Sequence, residues 1–433
     1  MFNRLLAGSV LAAGLLAVPA HAQSTGDTSP LDHVEGQPPA SGEEATPAGE
    51  PVETEAPNAP DQEPAFPEQT RAAQPAEMPE VTTQTFAEGL PQLWSMEFLP
   101  DGRVLVAAKE GAIHILSAEG EAGPAIEGVP EVDSAEQGGL LDLALSPDFE
   151  TDNRIFFTFS EPVEGGNHTA LGTGILETDD EGGGSLSDVE VIWSQVPVYD
   201  GHKHFGSRIV FTPEGNIHVG LGERSDDPIR ELSQDLTSTL GKVIHITPEG
   251  EPVEGNPFAD GADGALPEIW SYGHRNIQSA ALDGQGRLWT VEHGPRGGDE
   301  LNRPEAGLNY GWPVITYGIE YSGQEVNEGI TAQDGMEQPV YYWDPVIGPA
   351  GMAFYEGEEF PEWDGAFLIG GLVTTGIVVV HLDEAGDRVA YEERVPLGER
   401  IRDVKVGPDG AVYALAELPD DSASTIFRLT RAD

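Results

Sequence analysis

The segment Gly201–Arg208 concentrates cationic and titratable side chains directly before a predicted strand. The chain has 76 Asp and Glu but only 21 Lys and Arg residues, so such a group is unusual. Within it, the neutral imidazole of His204 could take up a proton near neutral pH. We therefore predict that His204 is a general base. The alternative, which the sequence leaves open, is a structural histidine that is simply hydrogen-bonded.

Two further clusters carry groups suited to binding a polar ligand. In Tyr272–Gln278, Arg275 offers a fixed charge and planar donors that could hold an oxyanion or a carboxylate. In Glu136–Leu141, paired glycines allow close backbone approach beside Gln137, which can both donate and accept. The second cluster could equally be an ordinary turn.

The segment Glu292–Asn302 combines adjacent carboxylates with a Gly/Pro turn that exposes main-chain carbonyl groups. Hard cations such as calcium prefer oxygen ligands of this kind. The alternative is a salt-bridged surface turn, and no spacing in the chain is typical of a zinc site.

Arg400 and Arg402 lie on one face if their segment is extended. Two like charges side by side require either an anion between them or neighbouring acids. Glu399 and Asp403 could supply those acids, so both interpretations remain open.

A recurring unit predicts how these loops are positioned. It consists of an apolar strand, a turn of the Pro-Asp-Gly type and a second apolar strand, and six copies follow residue 85. No long segment has a helical period. The copies lie at 96–106, 143–157, 209–215, 281–289, 352–369 and 404–410.

Six such units predict an all-β fold, a six-bladed β-propeller of four-stranded antiparallel blades. Thr425–Leu429 could close the ring beside a strand near Val81–Phe86 and so remove the exposed sheet edges. The loops of a propeller converge at the channel mouth, where residues distant in sequence can meet. A two-domain β-sandwich protein is the alternative fold.

The regions before the propeller predict export. Residues 1–22 have the basic start, short apolar run and small-residue cleavage site of a signal peptide, and the run is too short to span a bilayer. Residues 23–85 are rich in Pro, Glu and Ala and are predicted to be disordered, while 86–433 form the propeller. We therefore expect a periplasmic or secreted protein without a transmembrane anchor after cleavage.

The strongly acidic composition argues against binding to nucleic acid or to an anionic membrane, because both carry negative charge. It is compatible with a saline habitat or a cationic redox partner. The absence of cysteine fits export but does not require it.

The clusters, in this order, resemble the soluble sugar dehydrogenases that use pyrroloquinoline quinone (PQQ), the aldose sugar dehydrogenase and glucose/sorbosone dehydrogenase family. The resemblance covers nearly everything from residue 85 onward and depends most on Tyr272–Asn276 and on the string from Gly294 to Glu300. It implies a six-bladed propeller that oxidises a sugar.

The resemblance also implies residue roles. His204 corresponds to the base that takes the anomeric hydroxyl proton while hydride passes to the quinone, and Arg275 to the arginine beside the quinone oxygens. The remaining cofactor-binding positions are Asn276, Gln137 (near substrate and cofactor) and the arginines Arg400 and Arg402, which bind the carboxylates of PQQ.

Calcium is the second implied cofactor. The backbone oxygens of Gly294 and Pro295 correspond to ligands of the calcium ion that also binds PQQ. Asp299 and Glu300 resemble residues of further calcium sites in some members of the family.

The sequence departs from the family at one cofactor position. Val373 stands where the family often has a lysine that contacts PQQ, and Lys203 or Arg296 could compensate from another loop. The loop 343–351 also differs from the sugar-stacking loop of glucose-oxidising members, so substrate identity does not carry over.

Together these observations predict a quinoprotein that oxidises the anomeric carbon of an aldose to the lactone. Electrons would pass to a periplasmic acceptor, a cytochrome or a quinone. The alternatives are a calcium-dependent lactonase-like hydrolase, which needs several acidic or Asn side chains on one metal, and a propeller that binds sugar or protein without turnover. A large separation of His204 from Arg275 would favour the latter.

Overall fold

A computed structural model describes residues 49–179, 182–418 and 423–432. These residues form six four-stranded antiparallel sheets, the blades of a propeller. Blade 6 takes β1 (Val81–Leu90) from one end of the propeller sequence and β22 (Arg400–Val406), β23 (Val412–Glu417) and β24 (Ser424–Arg431) from the other. The predicted all-β, six-bladed fold is therefore confirmed.

The other five blades each use four consecutive strands. Blade 1 contains β2 (Leu93–Phe98), β3 (Val104–Ala108), β4 (Ala112–Leu116) and β5 (Ala122–Ala125). Blade 2 contains β6 (Leu140–Leu145), β7 (Arg154–Val163), β8 (Gly166–Thr178) and β9 (Gly184–Ser194). Blade 3 contains β10 (Gly206–Phe211), β11 (Ile217–Leu221), β12 (Lys242–Ile246) and β13 (Ile269–Tyr272).

Blade 4 contains β14 (Ile277–Leu282), β15 (Leu288–Glu292), β16 (Asp299–Asn302) and β17 (Tyr341–Trp343). Blade 5 contains β18 (Pro349–Phe354), β19 (Ala366–Gly371), β20 (Gly376–Leu382) and β21 (Val389–Pro396). In the part of the chain that the structure describes, helical structure is limited to α1 (Phe149–Asp152) and the 3₁₀ turns Pro67–Gln69, Ile229–Gln234, Ala262–Gly264 and Pro361–Trp363.

Each of the six repeated units is the hairpin of the first two strands of a blade. In the first copy, Leu99 and Arg103 are joined by a main-chain hydrogen bond of 2.8 Å across the turn. Gly102 there has φ of +86°, a conformation that favours glycine. The turn residues thus fix the position of each inner strand.

The ring closes as predicted, through β1 and β24. Their antiparallel register pairs Val81 with Arg431 and Thr85 with Phe427. The first strand therefore begins at Val81, five residues before the predicted boundary.

Both faces of the inner strands are buried between neighbouring blades. In β3, Val104 and Val106 pack in one cluster with Leu415 of blade 6, while Leu105 packs with Phe157 of blade 2 in another. Alternation along a strand sends successive side chains to opposite faces. Each blade therefore requires two neighbours, as the repeat pattern predicts.

The prediction of disorder for 23–85 is wrong for the part that the structure describes. Residues 49–80, here called the N-terminal segment, lie on blades 4 and 5, where Ala59 donates to Asp344 and Ala72 donates to Tyr341. Composition underestimates such order because the polar partners belong to the propeller. The predicted signal peptide 1–22 and residues 23–48 lie outside the described residues.

None of the helices in the described ranges is long and apolar enough to cross a membrane.

Candidate active site

His204 lies in the loop that enters β10 and is only 5% exposed. Its Nδ1 is 2.6 Å from Oε2 of the fully buried Glu223, which follows the end of β11. A carboxylate only accepts hydrogen bonds, so Nδ1 carries the hydrogen and Nε2 keeps its lone pair. The pair therefore presents His204 as a proton acceptor.

The pKa values of this pair follow from burial and charge. Burial lowers the pKa of His204, the charge of Glu223 opposes this, and the charge of Arg275 lowers it further. Burial alone would raise the pKa of Glu223, but His204 and Arg275 outweigh it and leave that pKa below its usual value. His204 is therefore neutral at neutral pH, as a base requires.

The loop that carries His204 is held in an unusual backbone conformation. His204 has φ of +49°, and Arg224 and Ser225 across the loop have φ of +72° and +73°. The buried Arg224 donates to the carbonyl oxygens of Gly201 and Lys203 and packs its guanidinium 4.1 Å from the ring centroid of Phe205. Such strain persists only where the surroundings enforce it.

Gln137 also positions His204. Its Oε1 accepts a 2.9 Å hydrogen bond from the backbone N–H of His204, and its own N–H donates to the carbonyl oxygen of His202. The glycine-rich loop of blade 2 is thus tied to the loop of blade 3. The structure places Gln137 beside the predicted base, where it supports the backbone.

Arg275 lies at the entrance to β14 and is 7% exposed. Its Nη1 donates to the carbonyl oxygen of His293, and its guanidinium lies 5.2 Å from the ring centroid of Trp312. Its backbone N–H donates to Glu292, which also bonds His274. The side chain is fixed, yet its buried Nε has no hydrogen-bond partner among the described residues.

His204 and Arg275 line one cavity of about 390 Å³. Lys203, Arg230, Trp312 and Glu320 also line it. The separation of His204 from Arg275 that would have favoured a binding-only propeller is therefore not observed. A base and a guanidinium face the same space, which suits the removal of a proton beside developing negative charge.

Asn276 is almost fully buried and joins blades 3 and 4. Its Oδ1 accepts from the backbone N–H of Gly206 at 3.2 Å and from Gln278 at 3.3 Å. The structure thus places Asn276 directly beside Arg275, at the root of the loop that holds His204.

Arg400 and Arg402 share one carboxylate, that of Glu417 on β23. Nε of Arg402 lies 2.5 Å from one oxygen of Glu417 and Nη2 of Arg400 3.5 Å from the other. Asp403, one of the acids considered from the sequence, instead pairs with Arg208 at 3.2 Å. Nε of Arg400 is buried and has no partner among the described residues.

The charge of Arg402 acts on His293, as does that of Arg275, which lines the cavity. Burial lowers the pKa of His293 strongly, and the charges of Arg275 and Arg402 add to this effect. His293 is therefore neutral, and its Nε2 lies 2.7 Å from the carbonyl oxygen of Pro349.

The turn after β15 contains Gly294 and Pro295, which are both buried. The carboxylate of Asp299 accepts the N–H of Gly294 on one oxygen and that of Gly348 on the other, each at 2.8 Å. Burial raises the pKa of Asp299 to about 7, although both N–H bonds act in the opposite direction. Asp299 thus joins two chain segments and shapes the turn at Gly294 and Pro295.

Glu300 is half-buried and accepts a 3.0 Å hydrogen bond from Asn302. Burial and the nearby charge of Glu292 raise its pKa well above the usual range. Within the described ranges, no three His, Asp or Glu side chains are grouped so as to hold a metal ion. A cation at this turn would therefore depend on carbonyl oxygens.

Val373 stands at the position where the family often has a lysine. Val373 is half-buried, and its N–H donates to the carbonyl oxygen of Ile347. Of the two candidates to compensate, Lys203 lines the cavity with His204, whereas Nε of Arg296 donates to Asn58.

Sequence reasoning missed three charged residues that orient the predicted ones, namely Glu223, Arg224 and Glu417. It did single out Glu292, but in the predicted cation-binding turn and not as the partner of His274 and Arg275. The string Gly222-Glu223-Arg224 directly after β11 was an available signal, because polar residues at a strand end face the loop region of a propeller. Glu417 offered the same signal, because it is the last residue of β23 and pairs with Arg400 on the neighbouring strand.

A larger crevice of about 670 Å³ lies between blades 3 and 4, lined by the stacked rings of His218 and His245 together with Trp270. Burial lowers the pKa of His218 to about 3. The crevice contains neither His204 nor Arg275, so size alone does not identify the site.

Replacing Glu223 by glutamine should weaken the base and move the pH profile. The charge of Glu223 raises the pKa of His204, so its loss lowers that pKa further. We expect kcat to fall about tenfold or more, while the acidic limb of the kcat/KM profile moves to lower pH. Glu393→Gln, in the distant His381–Glu393 pair, is the matched control. If the acidic limb of the kcat/KM profile does not move in Glu223→Gln, the charge of Glu223 does not set the pKa of the base.

The fold and the cavity together define a class, the six-bladed propellers that bring a buried histidine–glutamate pair and an arginine to one cavity. Residues 90–428 match the Glucose / Sorbosone dehydrogenase family. The chain therefore belongs to that family.

Its similarity to named proteins agrees with this assignment. It is 39% identical to the aldose sugar dehydrogenase YliI of Escherichia coli, over 81% of this chain and 93% of that protein. The crystal structure of the soluble aldose sugar dehydrogenase of E. coli in its apo form matches with a TM-score of 0.76 and 37% identity, over 82% of this chain and all of the other. The PQQ-bound aldose sugar dehydrogenase of Streptomyces coelicolor matches with a TM-score of 0.65 and 29% identity, over 82% and 100%.

Proposed function

We propose that the protein oxidises an aldose at its anomeric carbon to the lactone in the periplasm, uses PQQ and calcium, and passes the electrons to an external acceptor. The observation that carries the proposal is the buried His204–Glu223 pair facing Arg275 across one cavity. The family assignment supports the sugar as substrate class.

The residues present fit an anionic quinone cofactor. Buried Nε atoms of Arg275 and Arg400 have no partner in the described structure, and Arg402 adds a third guanidinium nearby. Arginine forks match carboxylates well. When bound, PQQ supplies the two-electron acceptor for the hydride from the sugar carbon. Lys203 is the residue proposed to supply the charge that Val373 lacks.

The turn at Gly294 and Pro295 fits a calcium ion through carbonyl oxygens. Neither oxygen accepts a hydrogen bond from the described residues, and Asp299 holds the turn in shape. Hard cations favour such oxygens. Glu300 is proposed only as a lesser contributor, because its carboxyl is held by Asn302.

The protein's own part in the reaction is proton removal and charge stabilisation. Nε2 of His204 accepts the proton of the anomeric hydroxyl as that oxygen forms its double bond to carbon and the carbon releases hydride. The sugar thereby loses two electrons and two hydrogens. Glu223 steadies the imidazolium that forms, and Arg275 stabilises the negative charge that develops beside it.

Reconstitution tests the proposal. The chain from residue 23 is purified, supplied with PQQ and calcium and offered a panel of aldoses while reduction of an artificial dye is followed. We expect sugar-dependent dye reduction and a spectral change on adding PQQ. Failure of both with every sugar would overturn the dehydrogenase assignment.

A further inference from the structure

The N-terminal segment donates hydrogen bonds to the buried carboxylate of Asp344. Asp344, in the connection from β17 to β18, is 5% exposed. Its oxygens accept from the N–H of Asn58 at 2.8 Å, from Nδ2 of Asn58 at 3.0 Å and from the N–H of Ala59 at 2.9 Å. All three donors come from the N-terminal segment. A buried carboxylate without such partners would be costly.

Asn58 uses both ends of its side-chain amide. While Nδ2 donates to Asp344, Oδ1 accepts from Nε of Arg296 at 3.0 Å. Arg296 belongs to the turn after β15, next to Gly294 and Pro295. A single side chain therefore joins this turn to the connection between blades 4 and 5.

The same turn is bound to a hairpin that borders the cavity. The backbone groups of Arg296 and Ile319 exchange hydrogen bonds of 2.9 and 3.0 Å. The next two residues, Glu320 and Tyr321, line the cavity, and Glu320 is paired with Arg230 at 2.8 Å. The contacts thus run continuously from Asn58 to the wall that faces His204.

Arg71 secures the segment in this position. Its guanidinium donates to the carbonyl oxygens of Glu53, Glu55 and Asp344 at 3.0, 2.8 and 2.8 Å. The segment is thereby closed into a loop over Asp344. The family match begins at residue 90, so the segment lies outside it.

We infer that the N-terminal segment braces the cavity wall and that Asn58 is a positioning residue for the turn at Arg296 and for the hairpin that carries Glu320. The consequence for sugar binding depends on the proposed function, whereas the brace itself does not. Within the described residues, the hydrogen bonds of the Asn58 side chain go to Asp344 and Arg296, and neither of these lines the cavity.

Amide hydrogen exchange, measured without cofactor or sugar, tests whether the N-terminal segment braces the cavity wall through Asn58. In Asn58→Ala, the hydrogen-bonded amides of Arg296, Gly298 and Ile319 should exchange about tenfold faster, while those of β3 stay unchanged. Glu63→Ala, at an exposed position of the same segment, is the matched control. Unchanged exchange at all three amides would overturn the inference.

A second variant separates positioning from space filling. Asn58→Asp keeps the size and the acceptor for Arg296 but places a carboxylate against Asp344, so exchange should rise more than in Asn58→Ala. A smaller rise would mean that Asn58 only fills space and would also overturn the inference.

Activity measurements then address the site. In the reconstituted enzyme, Asn58→Ala should raise KM for the sugar about three- to tenfold and leave kcat within about twofold, because the wall is displaced but His204 is not. Faster exchange with an unchanged KM would remove the role in sugar binding. Faster exchange in a protein that oxidises no sugar would leave the brace intact and count against the proposed function instead.

Discussion

His204→Ala is expected to lower kcat by a factor of about 10²–10⁴ in the reconstituted enzyme, because the variant has no group that can take the hydroxyl proton. KM for the sugar should change much less, since Arg275 and Trp312 still line the cavity. Steady-state dye reduction at saturating PQQ and sugar measures the effect.

The control uses a second histidine–glutamate pair, in which the histidine is partly buried. His381 contacts Glu393 at 2.8 Å on the outer strands of blade 5, away from the cavity. His381→Ala should therefore leave kcat within about twofold. Near-normal turnover in His204→Ala would remove His204 from the role of base, whatever the control shows.

Arg275→Ala should give the second largest loss, about 10²–10³ in kcat, because a fixed donor to developing charge disappears. Affinity for PQQ should fall as well, which a titration followed by absorbance reports separately from turnover. Arg275→Lys keeps the charge but not the planar fork, so it should recover only part of the loss.

Arg287 supplies the matched control for this variant. It too lies over a tryptophan, with 6.0 Å to the ring centroid of Trp289, but outside the cavity. Arg287→Ala should leave both kcat and PQQ affinity close to those of the parent protein. Normal kcat in Arg275→Ala at saturating PQQ would show that the guanidinium does not stabilise the reaction.

The large effects expected for His204→Ala and Arg275→Ala have a common cause, which is that both side chains are buried. Burial lowers the pKa of His204, so the base is unprotonated at neutral pH. Arg275 is equally enclosed, and Coulomb interactions are stronger where water is excluded. Each residue therefore does more in this cavity than it could in an exposed loop.

The repeat pattern was sufficient to predict the six-bladed fold. Turn residues such as Gly102 and the alternation in strands such as β3 are local properties, and six copies of one unit leave few arrangements that bury both faces. The closing strand near Val81 followed from the same need to remove sheet edges. The ordered structure of residues 49–80 could not be predicted from local composition, because Asn58 is held by Asp344, which is more than 280 positions away.

For the site, the sequence determined which side chains are candidates for chemistry. His204, Arg275, Asn276, Gln137 and the Gly294–Pro295 turn stood out because their residue types interrupt a regular strand pattern in an acidic chain. Their roles with PQQ and calcium remain predictions.

Only the tertiary structure decided how those side chains are oriented. Glu223 holds Nδ1 of His204, Glu417 holds Arg400 and Arg402, and the N-terminal segment reaches Arg296 through Asn58. Each of these partners comes from another strand, another loop or the far end of the chain. Glu223 and Glu417 reach their partners within one blade, whereas Asn58 and Arg296 are 238 positions apart and meet only in the folded chain. Local residue patterns predict strands and turns, but they do not specify which side chains meet across them.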